Sequence, residues 1–481
     1  MNMTKISIIG AGSNVFGLRM IKDIAAIASK EKSAISDCEI FLMDIDEQRL
    51  SYMQNICDEM KKRNGSLPIT FKSSVNRKEA LRDASYVISS IHPGGSKAII
   101  SDAEIPLKYG EKAGRVLAAC VNDTMSVGGI MRGARSIPVL KSMLDDMAAV
   151  SEPGALLLNY ANPMAMNTWG MFDHIETNEY DLHALGLCHG TWFTALLLRS
   201  WCGAVPDEFT YTCVGINHMA WYTDMRMKDL ETGKWVDAYP VMIENLREDP
   251  PPITWQYSEV FRREVMKQFG YFCTESSEHL SEYVPFPIRV REDLRDKYLM
   301  KPNRGLDNQK LEAAKNWTPE ADKSKFEKMM SNNKTFVVPD QPSNEYAAWI
   351  IEACETPIAD NMLPKTFYFH GNVKNTGLIT NLPQGCCVEV PCIALHRGWA
   401  RTNPIVPTYH GALPPQCAAL CQSNIRVQEL VVLACKTGDP EHLRHAMMLD
   451  PHISQVLEPA EARKMADELM EDQKEWLPQF N

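Results

Sequence analysis

The stretch that decides the fold is KISIIGAGSNVFGL, residues 5–18. Its first five residues form a β-branched run, two glycines follow at Gly10 and Gly12, and apolar residues at helical spacing come next. A strand, a tight glycine turn and a helix N-terminus direct free backbone N–H groups and a helix dipole towards a pyrophosphate. The stretch therefore predicts a dinucleotide-binding turn, and a structural βαβ turn without a ligand is the alternative.

The second predicted strand, residues 39–43, ends at Asp44. An acidic residue at this point can accept hydrogen bonds from the adenosine ribose hydroxyls, which favours NAD over NADP. Two features depart from the usual motif: Val15 occupies the third glycine position, and Asp44 lies farther along than the usual spacing of about twenty residues. The predicted cofactor-binding residues are Gly10, Gly12, Ser13, Asn14, Val15, Phe16 and Asp44.

Strand and helix patterns continue to alternate, which predicts an α/β fold with a Rossmann-type, doubly wound sheet. We predict an NAD-binding domain over residues 1–200, fused to an α+β domain over 201–481 that carries substrate, metal and oligomer contacts. Ligands of such sheets bind at the carboxyl ends of the strands. The further predicted strands are 69–72, 86–91 and 155–160, and the predicted helices include 47–63, 77–82, 415–435 and 459–475.

The composition restricts the class of partner and the compartment. A net charge of −11 over 481 residues argues against nucleic-acid and anionic-membrane partners, which require a basic surface. The 14 cysteines form no CxxC pair, so they indicate neither a secreted disulfide framework nor a zinc module. The N-terminal apolar run is too short for a signal peptide, and no apolar stretch is long enough to span a membrane. We expect a cytoplasmic protein with a small-molecule substrate.

The segment GLCHGTW, residues 186–192, places a thiol beside an imidazole at the end of an apolar run. Successive side chains of an extended chain point to opposite faces, so Cys188 and His189 are expected to have separate roles. The next suitable metal ligand is His218 in GINHMAW, and a thiolate with one imidazole leaves coordination positions open for substrate oxygens. Spacing alone favours a plainer alternative, a buried cysteine and a hydrogen-bonded core histidine.

A third polar segment, residues 270–286, concentrates carboxylates, a histidine and a tyrosine. One interpretation is a solvated helix face, which is the usual explanation for a run of charges. The other is a general acid or base, because the segment has aromatic and proline flanks. The candidates are Glu275, Glu278, His279, Glu282 and Tyr283.

Taken together, the order of these motifs resembles glycoside hydrolase family 4, whose members are NAD-dependent, manganese-requiring glycosidases. The resemblance implies a fold similar to lactate and malate dehydrogenases, NAD and Mn²⁺ as cofactors, a small carbohydrate substrate, and a homodimer or homotetramer. It covers nearly the whole chain. The motifs include IGAGSNVF, FLMDID, NYANPM, GLCHG, GINHMAW, TESSEHLSEY and GALPPQCAAL.

The resemblance also implies residue roles and a mechanism. Cys188 and His218 would hold the divalent metal, which outweighs the plainer interpretation of both; His189 would be the proton donor, and Asn162 would bind substrate. Hydrolysis would proceed by oxidation at C3, deprotonation at C2, elimination of the aglycone and addition of water. The base that removes the C2 proton stays open among three residues, in the order Tyr283, Glu275 and His279.

The tetrapeptide Cys-His-Gly-Thr and the TESSEH segment resemble the branch that contains α-galacturonidases, α-glucuronidases and α-galactosidases. We therefore expect an α-linked uronide, a galacturonide or a glucuronide, as substrate, with α-galactosidase or α-glucosidase activity as the alternative. Arg289 and Arg291 could grip the sugar carboxylate, or they could be ordinary surface arginines. Ser126-Val127 departs from the turn usual in the family, which predicts a reshaped site.

Two functions outside this family remain as alternatives. An NAD-dependent 2-hydroxy acid dehydrogenase would share the fold and the cofactor, but that class transfers hydride without a metal-bound thiolate. A non-catalytic NAD-binding regulator would turn over no substrate.

Overall fold

The computed structural model describes residues 3–13, 16–112, 123–246, 259–298, 311–357, 366–400 and 403–480. Its N-terminal half is built on six parallel strands in the spatial order β3-β2-β1-β4-β5-β6. This is the strand order of a dinucleotide-binding Rossmann sheet, so the predicted fold class is confirmed. The strands are β1 (Lys5–Ile9), β2 (Cys38–Met43), β3 (Ile69–Ser73), β4 (Tyr86–Ser89), β5 (Ala155–Asn159) and β6 (Leu182–Leu187).

Helices cover both faces of this sheet, which is why β2, β4 and β5 are mostly apolar and are buried along their whole length. Their polar residues are Glu39, Ser89 and Asn159. The helix after β2 begins where the Asp46 side chain accepts a hydrogen bond from the Arg49 N–H, and it ends in Lys61-Lys62-Arg63, which complements the helix dipole. The helices are α1 (Phe16–Ala28), α2 (Glu47–Arg63), α3 (Arg77–Leu81), α4 (Gly95–Lys112), α5 (Ser126–Val150), α6 (Met164–Thr177) and α7 (Gly190–Trp201).

The C-terminal half extends the same sheet with antiparallel strands. Strand β10 pairs with β6, and its other neighbour β11 pairs with β7. The order therefore continues β6-β10-β11-β7-β8-β9, and β12 pairs with β11, which gives a single sheet of twelve strands. The sheet therefore continues across residue 200, where we predicted a domain boundary. The division into two domains stays a prediction. The strands are β7 (Phe209–Ile216), β8 (Met219–Lys228), β9 (Trp235–Asp237), β10 (Phe367–Lys374), β11 (Cys387–Ala394) and β12 (Ile405–Pro407).

The helices of the C-terminal half pack onto this extension and back onto the Rossmann half. The predicted helices at 415–435 and 459–475 are confirmed, and each begins at a proline, whose missing N–H is unused in the first turn. The helices are α8 (Ala238–Asn245), α9 (Val260–Phe269), α10 (Ser277–Tyr283), α11 (Glu292–Lys297), α12 (Pro319–Ser331), α13 (Ala347–Glu355), α14 (Arg397–Ala400), α15 (Pro415–Thr437), α16 (Pro440–Leu449), α17 (Ile453–Val456) and α18 (Pro459–Asp472). Among the residues that the structure describes, none of these helices has both the length and the apolar composition of a membrane span.

Candidate functional site

The glycine turn after β1 is tied to the end of β2. The N–H groups of Gly10 and Ala11 donate to the carbonyl oxygen of Met43 at 2.9 and 3.0 Å. Gly10 has φ = 85°, a left-handed conformation that favours glycine, and a Cβ there would collide with the carbonyl oxygen of Ser90. A Cβ on Gly12 would lie 2.7 Å from the Asp44 carboxylate. Both glycines are therefore required by the backbone geometry.

Gly17 has the packing role that the third glycine has in the usual dinucleotide-binding motif. A Cβ on Gly17 would lie 2.6 Å from the carbonyl oxygen of Ala11, so only glycine lets α1 approach the turn this closely. The Ser13 hydroxyl accepts a hydrogen bond from the Phe16 N–H at 3.2 Å and so caps the start of α1. Two other predicted cofactor-binding residues, Asn14 and Val15, lie outside the described residues.

Asp44 lies where the prediction placed it, beside the glycine turn. One carboxylate oxygen accepts from the Gly12 N–H at 2.8 Å, and the other accepts from the Asp46 N–H at 3.0 Å. These bonds fix the carboxylate at the carboxyl end of β2. Each oxygen keeps a lone pair for a ribose hydroxyl.

Cys188 and His218 lie together, as the metal hypothesis requires. The Cys188 Sγ is 3.4 Å from the His218 Nε2. Cys188 follows β6 directly, whereas His218 lies in the two-residue turn between β7 and β8 and has a left-handed backbone (φ = 63°). The two residues do not end neighbouring strands, because β10 and β11 lie between β6 and β7 in the sheet.

Hydrogen bonds fix the tautomer of His218. The Thr124 hydroxyl lies 2.7 Å from the His218 Nδ1 and donates its own hydrogen to Asp123 at 3.0 Å, so it accepts from Nδ1–H. The Nε2 lone pair is then left to face Cys188 Sγ and, at 3.4 Å, Glu275 Oε2. Burial lowers the pKa of His218, which keeps the ring neutral, as a metal ligand must be.

The donor set fits a divalent ion. A thiolate and a neutral imidazole are ligand types that bind divalent ions, and the 3.4 Å between Cys188 Sγ and His218 Nε2 would let one ion contact both atoms. Burial raises the pKa of the Cys188 thiol well above its usual value, so the incoming cation must displace a proton.

A second group of ligand atoms adjoins this pair. Asp123, His218 and His279 each offer one ligand atom, and these atoms lie within 4.8 Å of one another. Asp123 also accepts from the Asn162 amide at 3.2 Å, so the predicted substrate-binding asparagine borders the cluster. The sequence analysis had assigned no role to Asp123 or Thr124. The signal in the sequence that could have found them is the Asp-Thr pair just before α5.

The predicted base candidates surround the same point. Glu275 contacts His218, and His279 lies 3.4 Å from Asp123. Burial opposes charge on His279, but the hydrogen bond with Asp123 and the negative charges of Asp123, Glu275 and Glu282 together outweigh it and raise the pKa of His279 to about 9. Burial also opposes charge on Glu275, yet its interactions with the neighbouring histidines and with Arg262 together lower its pKa. The ring of Tyr283 lies 6.0 Å from that of His279, and burial raises the pKa of Tyr283 well above its usual value.

The interpretation of residues 270–286 as a solvated face is wrong. Three residues of α10, Leu280, Glu282 and Tyr283, are buried against the core. Which of Tyr283, Glu275 and His279 removes the C2 proton stays a prediction.

His189 points away from the metal pair towards a separate partner. Its Nδ1 lies 3.2 Å from Glu345 Oε1, and its side chain is 43% exposed. The hydrogen bond with Glu345 raises the pKa of His189, which favours the protonated form that a proton donor needs. Glu345 was missed by the sequence analysis, because nothing in its local pattern distinguishes it from other acidic loop residues.

Both predicted carboxylate-binding arginines are engaged by carboxylates of the protein itself. Arg289 is buried, and its Nη2 lies 3.0 Å from Glu278 and 3.5 Å from Glu282. Arg291 is exposed and pairs with Asp293. The geometry therefore gives no support to a grip on a substrate carboxylate by either residue, and the ordinary-surface alternative describes Arg291.

One further carboxyl group was missed. Glu389 of β11 is 1% exposed, and Asn372 donates to it at 3.3 Å. Burial, and then the negative charge of Glu275, raise the pKa of Glu389 to about 8, so it is protonated at neutral pH.

The chain is similar to known proteins along nearly its whole length. Residues 5–202 match the model for family 4 glycosyl hydrolases, and residues 213–453 match the model for the C-terminal domain of the same family. The chain is 35% identical to an α-galactosidase of Rhizobium meliloti (strain 1021), over 99% of this chain and 89% of that protein. It is also 35% identical to an α-galactosidase of Bacillus subtilis (strain 168), over 99% and 100%.

Two more distant proteins have names that refer to other substrates. An α-galacturonidase of Thermoanaerobacter italicus is 23% identical over 98% of this chain and 97% of that protein. Among solved structures, a 6-phospho-α-glucosidase from gut microorganisms, in complex with NAD and Mn²⁺, superposes with a TM-score of 0.75 at 18% identity, covering 99% of this chain and 100% of that one.

Proposed function

Because the chain belongs to family 4 of the glycosyl hydrolases, we propose that it hydrolyses α-galactosides with the help of NAD and a divalent metal ion, Mn²⁺ in the first instance. The observation that carries the proposal is the meeting of Cys188 Sγ and His218 Nε2, 3.4 Å apart, beside Asp123 and Asn162. The choice of α-galactoside follows from the two 35% identical relatives, both named α-galactosidase. It replaces our first expectation of a uronide, which rested on the tetrapeptide Cys-His-Gly-Thr.

The nucleotide half of the proposal rests on the glycine turn. Gly10, Gly12 and Gly17 each lie where a Cβ would collide with backbone or carboxylate atoms, and together they open a cradle at the start of α1. A pyrophosphate is the group that such a turn accommodates, because the N–H groups of the first helical turn are free to bind it. Asp44 would accept hydrogen bonds from the adenosine ribose, as expected for NAD.

The metal half rests on the donor set. A thiolate and a neutral imidazole fit a divalent ion, and Asp123 and His279 supply further ligand atoms nearby. When bound, NAD would take the hydride from C3 of the sugar and return it, and the metal would polarise the C3 carbonyl so that the C2 proton becomes acidic.

The chain's own side chains would orient the sugar and move its protons. Asn162, held by Asp123, would orient the sugar hydroxyls. Tyr283, Glu275 or His279 would accept the C2 proton, and His189 would donate a proton to the glycosidic oxygen as the aglycone leaves. A water molecule would then add to C1, and the same base would return the proton to C2.

A second candidate substrate is an α-galacturonide, which the Cys-His-Gly-Thr motif and the 23% identical relative favour. It would need a cation near the sugar carboxylate, and Arg289 and Arg291 are engaged by Glu278, Glu282 and Asp293. We therefore place α-galactoside first. A homodimer or homotetramer in the cytoplasm also remains part of the proposal.

The test is a panel of four nitrophenyl glycosides, the α-galactoside, α-galacturonide, α-glucuronide and α-glucoside, each with and without NAD⁺ and Mn²⁺ under reducing conditions. We expect nitrophenol release from the α-galactoside only when both cofactors are present, and no net NADH. Stoichiometric NADH would indicate a dehydrogenase, and faster release from a uronide would reverse the order of substrates. Release that needs neither cofactor would refute the redox mechanism.

A matched pair of variants tests the metal assignment separately. Cys188→Ser should lose bound Mn²⁺ and activity together, because a hydroxyl is a poorer ligand than a thiolate. Cys202→Ser changes a buried cysteine whose contact is the carbonyl oxygen of Ala238, and it should keep both.

A further inference from the structure

The contact between His189 and Glu345 indicates a function for the loop at residues 343–347, which belongs to no motif quoted from the sequence. We propose that Glu345 is a positioning residue, which holds the His189 imidazole so that its Nε2 faces the departing aglycone. The proposal rests on the proposed function for its kinetic consequence, but its structural part can be tested without substrate.

The two side chains of the pair differ in burial, as expected if one positions the other. The Glu345 carboxylate is buried, with 3% of the residue exposed, whereas the His189 side chain is 43% exposed. Nδ1 of His189 lies 3.2 Å from Glu345 Oε1, so Nδ1–H is the donor and Nε2 is the ring atom left for a reacting group. A fixed acceptor on one nitrogen sets both the orientation and the exposed nitrogen of the ring.

The Glu345 carboxylate is held by a loop anchored on α1. The Ser343 N–H donates to Asp23 Oδ1 at 2.7 Å, and the Ser343 hydroxyl donates to Asp23 Oδ2 at 2.5 Å. Asp23 is itself buried, with 2% exposure. Arg19, one turn earlier on the same helix, lies 3.5 Å from Glu345 Oε1. Helix α1, which begins at the glycine turn, therefore fixes the position of the loop that contains Glu345.

A second anchor lies on the other side of Glu345. The Ala347 N–H donates to the Tyr160 hydroxyl at 3.0 Å, and Tyr160 follows β5 two residues before Asn162. The ring of Tyr160 contacts that of Phe16 at the start of α1, with centroids 4.7 Å apart. Residues 343–347 are thus fixed to both the nucleotide turn and the strand end that carries the proposed substrate ligand.

These anchoring contacts argue that the pair of His189 and Glu345 is not an incidental surface ion pair. An exposed pair holds neither partner in one place and contributes little. Here the carboxylate is buried and held through neighbours at both ends, and burying a charge is unfavourable unless it is paired. Without this acceptor, the half-buried imidazole of His189 would keep its ring contact with Phe193, whose centroid lies 5.4 Å away, but it would lose the group that orients its nitrogens. Its proton would then reach the glycosidic oxygen less often.

The kinetic test compares two α-galactosides with different leaving groups. A dinitrophenolate leaves with the electron pair of the C1–O bond and needs no proton, whereas the sugar alkoxide of a galactosyl-glucose disaccharide needs one from His189. Glu345→Ala should lower kcat on the disaccharide by about tenfold to hundredfold and leave the dinitrophenyl substrate within about threefold. Glu345→Gln, whose amide oxygen can still accept from Nδ1–H, should recover part of the loss.

Two controls separate positioning from damage to the fold. In a His189→Ala background, adding Glu345→Ala should cause no further loss on the disaccharide, because the two residues act through one step. Glu352→Ala removes another buried carboxylate, which accepts from Ser33 and Ala34, and it should leave the ratio of the two substrates unchanged. Equal losses of Glu345→Ala on both substrates would overturn the proposal.

A readout without substrate keeps the inference independent of the proposed activity. Long-range ¹H–¹⁵N spectra of ¹⁵N-histidine-labelled protein, assigned with His189→Ala, report which ring nitrogen of His189 carries the proton. We expect a protonated Nδ1 in the wild type and a mixture of tautomers in Glu345→Ala at a pH where the ring is neutral. If the spectra are the same, the inference fails. If wild type hydrolyses no α-galactoside but the spectra differ, the proposed function fails and the positioning contact stands.

Discussion

Replacing Thr124 by valine should weaken metal binding without disturbing either proposed ligand. Valine has nearly the shape of threonine but lacks the hydroxyl that accepts from His218 Nδ1–H at 2.7 Å. Without metal, the variant His218 can move its proton to Nε2 and donate to Cys188 or Glu275, both 3.4 Å away. Metal binding then forces the proton back to Nδ1, where it has no acceptor.

The size of the effect follows from that buried N–H group. His218 is 4% exposed, so water does not replace the lost hydroxyl. Leaving a buried donor unsatisfied costs about 1–3 kcal/mol, and each factor of ten in affinity corresponds to about 1.4 kcal/mol. Loss of such outer partners of metal ligands weakens binding by about tenfold to hundredfold. We expect the Kd for Mn²⁺ to rise by that factor.

The assay is calorimetric titration of Mn²⁺ into the protein at one pH, with saturating NAD⁺, for wild type, Thr124→Val and Thr124→Ser. Serine keeps the hydroxyl and should bind Mn²⁺ within about threefold of wild type, because its acceptor is intact. A valine variant that binds as tightly as wild type would show that Thr124 does not set the tautomer, and the proposed ligand arrangement at His218 would be refuted.

Three further predictions follow from the same geometry. Gly17→Ala should weaken NAD⁺ binding at least about tenfold in a fluorescence titration, because the new Cβ overlaps the carbonyl oxygen of Ala11; Gly65→Ala, where the space is open, should leave it unchanged. Glu389→Gln should bind Mn²⁺ like wild type at pH 7 and more weakly above pH 8, because the Glu389 carboxyl, with a pKa of about 8, gains its charge only there; weaker binding already at pH 7 would contradict this. Burial lowers the pKa of His370 to about 3, below its unfolded value near 6.5, so its contribution to stability is present above pH 6.5 and is lost as the pH falls. Urea unfolding of wild type at pH 7.5 and 5.5 should therefore show a loss of about 1.4 kcal/mol that His370→Phe lacks, and equal losses in the two proteins would refute it.

The sequence carried enough information for the Rossmann half because its signals are local. Residues 5–9 and the helix 47–63 appear in the structure with the predicted bounds, since β-branched runs and an amphipathic period are properties of short segments. The antiparallel extension carried no such signal. Strands β10 and β11 enter the sheet between β6 and β7, and a pairing between segments so distant in sequence leaves no periodic pattern.

The same distinction separates the site residues that were found from those that were missed. Cys188 and His218 follow apolar strands and belong to distinctive motifs, so they could be named. Thr124 and Glu345 matter only through the partners that the fold gives them, His218 and His189. The prediction that Arg289 and Arg291 bind a sugar carboxylate gained no support for a related reason. A position close to a site in the sequence does not determine which groups a guanidinium contacts.

The twelve-stranded sheet has a mechanical consequence. Backbone pairing between β6 and β10 joins the N-terminal and C-terminal halves of the chain within one sheet, so a rotation of one half against the other would have to break these hydrogen bonds. Admission of a sugar and escape of its products must then depend on loops at the strand ends. A fragment that ends near residue 200 would leave the β6 edge of the sheet without its partner strand β10. We expect this fragment to aggregate unless the rest of the chain is supplied in trans.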